Sequence, residues 1–101
     1  METIRRLWAE GAVTWTHDAQ VRLVDRNLGM LDVAHCLRYG RVTATSHPGR
    51  VWRYAVDGTT VDRRRMRCVV EIVGNLIIVT VIAGQGGSEK PYSTLEECYG
   101  L

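Results

Sequence analysis

Two apolar runs joined by Gly74-Asn75 limit most strongly what this chain can become. A Gly/Asn pair supplies the positive φ values that a two-residue hairpin loop needs. Taken as that loop, it sets Val73 opposite Leu76, Ile72 opposite Ile77, Val70 opposite Val79, Cys68 opposite Val81 and Met66 opposite Ala83. The face carrying Met66, Cys68, Val70 and Ile72 then meets Ile77, Val79, Val81 and Ala83, all apolar. The other face mixes Arg67, Val69 and Glu71 with Ile78, Thr80 and Ile82. A one-residue slip would lose this sorting, so the pairing is well specified. An apolar sheet face must be covered, and the covering elements have to come from the N-terminal half.

That half reads as helices. Ile4, Leu7 and Trp8 follow helical spacing, with Gly11 as a C-terminal cap. Ala12 to Trp15 alternates weakly, as a short strand or an extended lead-in. Thr16 is an N-cap for a helix over about His17 to Arg26, with Asp18 in its first turn and Val21, Val24 and Leu28 on one face. A second helix runs from about Met30 to Tyr39, with Met30, Ala34 and Leu37 as its core stripe, Val33 beside them and Gly40 as its stop. From Arg41 the apolar period changes from 3.6 to 2. Val42 and Ala44 mark a strand ended by His47-Pro48-Gly49, and Val51 to Val56 a second, with Trp52, Tyr54 and Val56 on one face. The expected fold is α+β: a two-layer sandwich with N-terminal helices packed on a three- to four-stranded antiparallel sheet.

Residues 1–83 form the expected domain, and one core is what 101 residues allow. Residues 84–101 begin Gly84-Gln85-Gly86-Gly87-Ser88, a flexible-tail composition, and Ser93-x-x-Glu96 offers a capping box for one last helical turn. No apolar run approaches the roughly 20 residues of a membrane span, and Met1-Glu2-Thr3-Ile4-Arg5-Arg6 lacks the apolar core of a secretory signal. The chain is therefore read as cytoplasmic, with no membrane partner. Cys36, Cys68 and Cys98 are read as free thiols, the first two on apolar faces. Neither C-x-x-C nor H-x-x-x-H spacing appears among Cys36, Cys68, Cys98, His35 and His47, so neither metal nor cofactor is expected.

Charge is unevenly spread. Residues 41–73 carry seven Arg and three acids, net +4, against zero for 1–40 and −2 for 74–101. Three sets follow. His17 with Arg22 and Arg26 places a group that titrates near neutrality beside two fixed cations, the parts needed for metal-independent RNA cleavage. The bland reading is an Asp18–Arg22 surface pair beside an exposed His17. Arg63, Arg64, Arg65 and Arg67 form the second set; alternation puts Arg63, Arg65 and Arg67 on one face, near Arg53, as a grip for a nucleic-acid backbone. The bland reading is a solvated hairpin tip. Trp15, Trp52 and Tyr54 could stack bases, but in a chain without Phe they read better as core.

Several pieces together resemble a widespread bacterial family of small domains of unknown function. That family opens with T-x-H-A, an R and an R-G-I, and continues through a helix ending at Gly. A Y-x-V-x-G stretch, a D-G-R turn, and V-V-V-E-I and I-I-T-V strands follow. Ala19, Arg22, Arg26 and Leu28 fit the opening, and Gly40 the helix end. Tyr54, Val56 and Gly58 fit the middle, and Asp62, Arg64 and Met66 the turn. Residues 69–72 and 77–81 fit the final strands. The family histidine falls on Asp18, with His17 displaced by one, and Asn27 and Arg63 replace two glycines. The resemblance favours a turn near Asp62-Arg63-Arg64 over one at Asp57-Gly58. The family is grouped with RelE and barnase-like ribonuclease toxins, a likeness at the level of fold.

Two functions follow as expectations. The first is a toxin-like RNA-binding or metal-independent RNA-cleaving domain, held in check by an antitoxin-like protein. His17 would be its acid/base, Arg22, Arg26 and Arg64 its phosphate ligands, with Thr80 lining the site. The second is a non-enzymatic protein-interaction module of phage-derived type. Apolar Val69, Ile78 and Ile82 on the outer sheet face fit it.

Overall fold

The structure, a computed structural model, describes residues 1–47, 49 and 51–83. The expected tail, its capping box and Cys98 lie outside the described residues. Among the described residues, three helices, α1 (Glu2–Ala9), α2 (His17–Asp25) and α3 (Met30–Tyr39), accompany five strands. The strands are β1 (Val13–Trp15), β2 (Arg41–Ser46), β3 (Arg53–Thr59), β4 (Arg65–Val73) and β5 (Asn75–Ala83).

The α+β class is as read, but the sheet is larger and mixed. Its order is β1-β5-β4-β3-β2. The lead-in Val13–Trp15 pairs parallel to β5, with Val13 beside Leu76 and Trp15 beside Ile78. Two further amides extend the join: Leu76 N–H donates to Ala12 O at 2.8 Å and Thr16 N–H to Ile78 O at 3.1 Å. Of the two readings of this segment, the short strand holds, over three residues that the free edge of β5 orders. The β3–β4 turn falls at 60–64, as the resemblance favoured, not at Asp57-Gly58.

Local signals place the helix ends. Thr16 Oγ1 accepts from Ala19 N–H at 3.1 Å as the α2 N-cap, and also donates to Val79 O at 2.6 Å, fixing the helix start against β5. Gly11 follows α1 at φ +74, the left-handed region glycine reaches without a Cβ clash. Asp32 Oδ2 accepts from Gly29 N–H at 2.9 Å, half of a capping box for α3.

One buried cluster joins all three helices to one sheet face: Ile4 and Leu7 from α1, Ala19 from α2, Val33, Cys36 and Leu37 from α3, with Met66, Cys68, Val70, Leu76, Ile78 and Val81. Two expected helix stripes are corrected. In α2, Val24 is 82% exposed and Val21 40%, while Ala19 and half-buried Leu23 face inward. In α3, Met30 is 60% exposed, and the core residues are Val33, Cys36 and Leu37. Trp52 is also corrected: it is half exposed and meets the His47 ring, whereas Tyr54 and Trp15 pack against the core.

The β4–β5 hairpin keeps its elements and changes its register near the tip. Val73 pairs with Asn75, Ile72 with Leu76 and Val70 with Ile78, one residue from the expected pairing. Only Gly74, at φ +75, stands between the paired ends. A bulge at Val79-Thr80 opposite Val69 absorbs the extra residue and restores the expected pairs Cys68–Val81 and Met66–Ala83. Leu76 and Ile78 therefore enter the core in place of Ile77 and Val79. Val79 packs instead with Ala44, Ala55 and Val69 on the opposite face.

Candidate functional site

On the sheet face away from the helices, β3 and β4 align Arg53 with Glu71, Ala55 with Val69 and Asp57 with Arg67. The outer two rows are ion pairs. Arg53 Nε donates to Glu71, and Arg67 holds Asp57 through two donors, the Nη2–Oδ2 contact being 2.7 Å. Arg67 Nη2 also reaches Thr43 Oγ1 at 3.4 Å. Arg67 is 1% exposed and Thr80 3%, so neither presents a polar group to solvent. Arg65 lies on this face one row beyond Arg67 and is exposed. Arg53, Arg65 and Arg67 thus share a face, and two of them are held by carboxylates.

His17 opens α2 and is exposed. Arg22 pairs with Asp18 at 3.7 Å, the i,i+4 surface pair of the bland reading. Arg26 caps the other end of the helix, about 13 Å along the axis from His17 at 1.5 Å per residue. Arg64 is at that far end. Its Nη1 donates to Arg26 O at 3.3 Å and its Nη2 to Asn27 O at 3.4 Å, while Nε faces Asp62 at 3.3 Å. The structure thus brings Arg64 to Arg26 and leaves His17 at the opposite end of α2 from both.

Three segments converge on that end: the α2 C-terminus, the α3 N-terminus and the β3–β4 turn. Asp32 Oδ1 accepts from Val61 N–H at 3.0 Å, tying the turn to α3. Within the turn, buried Thr60 donates to Asp62 and accepts from Arg64 N–H at 2.9 Å. That hydroxyl, then the Arg64 guanidinium, holds the Asp62 carboxyl below the usual carboxylate range. Arg63, exposed, sits at φ 69. Around this corner lie Val24 at 82% exposure, Leu31 at 77%, Met30 at 60% and Val61 at 58%. These apolar residues were not identified as surface from the sequence, because the spacing of Val24 and Met30 points them inward and Val61 sits in a turn.

Cys36 and Cys68 are free thiols buried in the core. Cys36 lies over the Val56 and Cys68 positions, its Sγ 3.5 Å from Val56 O. The Cys36 thiol and burial push the Cys68 thiol well above its ordinary range, opposing thiolate formation. Among the described residues, no group of three or more His, Cys, Asp or Glu is placed to hold a metal, and no helix is long and apolar enough to cross a membrane. No protein-family model, curated protein or solved structure matches the chain.

Proposed function

We propose that this chain is a non-enzymatic protein-interaction module, and that its contact surface is the corner built from the α2 C-terminus, the α3 N-terminus and the β3–β4 turn. The supporting observation is the exposure of Val24, Met30, Leu31 and Val61 around one hydrogen-bonded scaffold. Apolar side chains gathered in one place, rimmed by charge, are the anatomy of a protein contact. Arg26 and Arg63 form that rim. The RNA reading needs guanidiniums available to phosphate. Here Arg53 and Arg67 hold carboxylates, and Arg64 faces the Asp62 carboxylate at 3.3 Å as well as two backbone carbonyls. It also needs an acid/base beside them, and His17 is a helix length away.

The test pairs two measurements. The protein immobilised in an extract of the cells that express it is expected to retain a defined protein. The variant V24D/L31D, with an unchanged far-ultraviolet spectrum, is expected to bind that protein at least about thirty-fold more weakly, as loss of anchors worth about 2 kcal/mol implies. Equal retention by the variant would overturn the assignment of this corner. Retention of RNA on a filter at about 50 mM salt, weakening steeply as salt rises, would replace the module with the RNA reading.

A further inference from the structure

A second feature lies between α1 and α3, apart from the corner. Arg5, Trp8 and Ala9 stand at i, i+3 and i+4 on α1, and Ala34, Leu37 and Arg38 stand at the same spacing on α3. Each triad therefore lies on one face of its helix. Together they line a groove of about 330 Å³. Its floor is apolar, and the two alanines leave the space that larger side chains would fill. The volume falls at the lower end of the roughly 300–1,000 Å³ that small-ligand sites occupy.

The rim is cationic. Arg5 reaches across the groove to α3, its Nε donating to Leu37 O at 3.1 Å and its Nη2 to Gly40 O at 3.2 Å. Its position is thereby fixed, with further N–H donors of the five on a guanidinium left over. Arg38 lies over the Tyr39 ring at 5.4 Å and is exposed. Neither arginine pairs with a carboxylate among the described residues. Two cations without an acidic partner among the described residues, one of them anchored, flank an apolar slot.

We propose that the α1–α3 groove binds a small apolar carboxylate, its hydrocarbon part against Trp8, Ala9, Ala34 and Leu37 and its carboxylate between Arg5 and Arg38. Arg38 supplies an exposed charge-assisted donor and Arg5 an anchored one. An uncharged molecule of the same shape gains only the floor; a small anion without a tail gains only the rim. The site is independent of the corner contact.

Sodium decanoate is the probe, followed by calorimetry and by the indole resonance of Trp8. One molecule is expected to bind per chain with a Kd below about 1 mM, shifting Trp8 and its groove neighbours. Decanol and acetate are each expected to bind at least about tenfold more weakly. Arg38→Ala, a change at an exposed position, should weaken decanoate about tenfold, and Ala34→Leu should remove binding by filling the slot. Any one of three results would overturn the proposal: no saturation by about 1 mM decanoate, equal affinity for decanol, or an unchanged affinity in Arg38→Ala. The decanol comparison and Arg38→Ala keep the test decisive if Ala34→Leu disturbs the fold.

Discussion

Arg5 and Arg64 come from distant parts of the chain and do the same thing. Each spreads two guanidinium donors over the last carbonyls of a helix, Arg5 at the end of α3 and Arg64 at the end of α2. Those carbonyls have no partner within the helix, and the dipole favours a cation there. The Arg64 contact depends on the turn that carries it. Arg63 at φ 69 and Asn27 at φ 53 hold left-handed backbone on the two sides of the contact, where glycine would cost least. Thr60 and Arg64 keep Asp62 ionised by depressing its pKa. A depressed carboxyl stabilises the fold above its unfolded pKa, and that contribution is lost as pH falls through the folded value. In a carboxyl-carbon NMR titration Asp62 is therefore expected to titrate below the ordinary aspartate range. Thr60→Val should move it upward, since the hydroxyl is the larger cause. An Asp62 midpoint unchanged by Thr60→Val would show that the hydroxyl does not hold the carboxylate.

Among the elements, α3 shows how a signal can be read rightly for an incomplete reason. Gly40 reads from sequence as a helix stop, and the helix does end at Tyr39. The structure adds a second demand. A Cβ at Gly40 would lie 2.4 Å from Asp57 O and 2.5 Å from Cys36 O, both backbone atoms that cannot swing aside. A Cβ at Gly58 would come within 3.1 Å of Cys36 Sγ, so glycines on both sides of the contact let α3 press onto β3. Gly40 has φ −82, so its need is space and not a left-handed backbone. Gly40→Ala is expected to lower unfolding free energy by about 1–3 kcal/mol or more in a urea titration, the range for forcing atoms into a filled contact. A loss within about 0.5 kcal/mol would mean that α3 can withdraw from β3 at little cost. Helix limits, the Thr16 cap and the change of period at Arg41 were all legible in sequence, because each depends on neighbours within a few residues. The inward faces of α2 and α3 were legible only in part: Leu28, Val33 and Leu37 are core as read, whereas Val21, Val24 and Met30 are not. Val21 and Val24 satisfy the same spacing as a core stripe, and only the placement of β5 makes Ala19 and Leu23 the contact residues.

Over the whole molecule, the sheet order puts β4 at the centre, between β5 and β3, and leaves β1 and β2 at the edges. Both faces of β4 are closed: Met66, Cys68 and Val70 toward the helices, Arg67 and Val69 away from them. Amide exchange should therefore be slowest in Arg67–Val70, and fastest among the strands in the three residues of β1, which are held from one side only. Slowest exchange in β2 would contradict this order. The candidate sites belong to this scale as well. Arg26 and Arg64 are 38 residues apart in sequence and meet only because the β3–β4 turn folds back over α2. Arg5 and Arg38 face one groove because α1 lies beside α3.

By itself the sequence determined the class of the fold, the helix boundaries, the strands β2 to β5 and the inward face of Met66, Cys68 and Val70, since cap chemistry and apolar period are local properties. Tertiary structure alone decided the rest. The segment Val13–Trp15, readable as a short strand or a lead-in, took its parallel place in the sheet because β5 offered an unpaired edge, and a bulge at Val79-Thr80 exchanged which residues of β5 face the core. Arg53, Arg64 and Arg67 took intramolecular partners, which no charge count along the chain can reveal. Local pattern specifies which elements form. Which face of each is buried, and which cations remain available, depends on neighbours that are remote in sequence and adjacent only after folding.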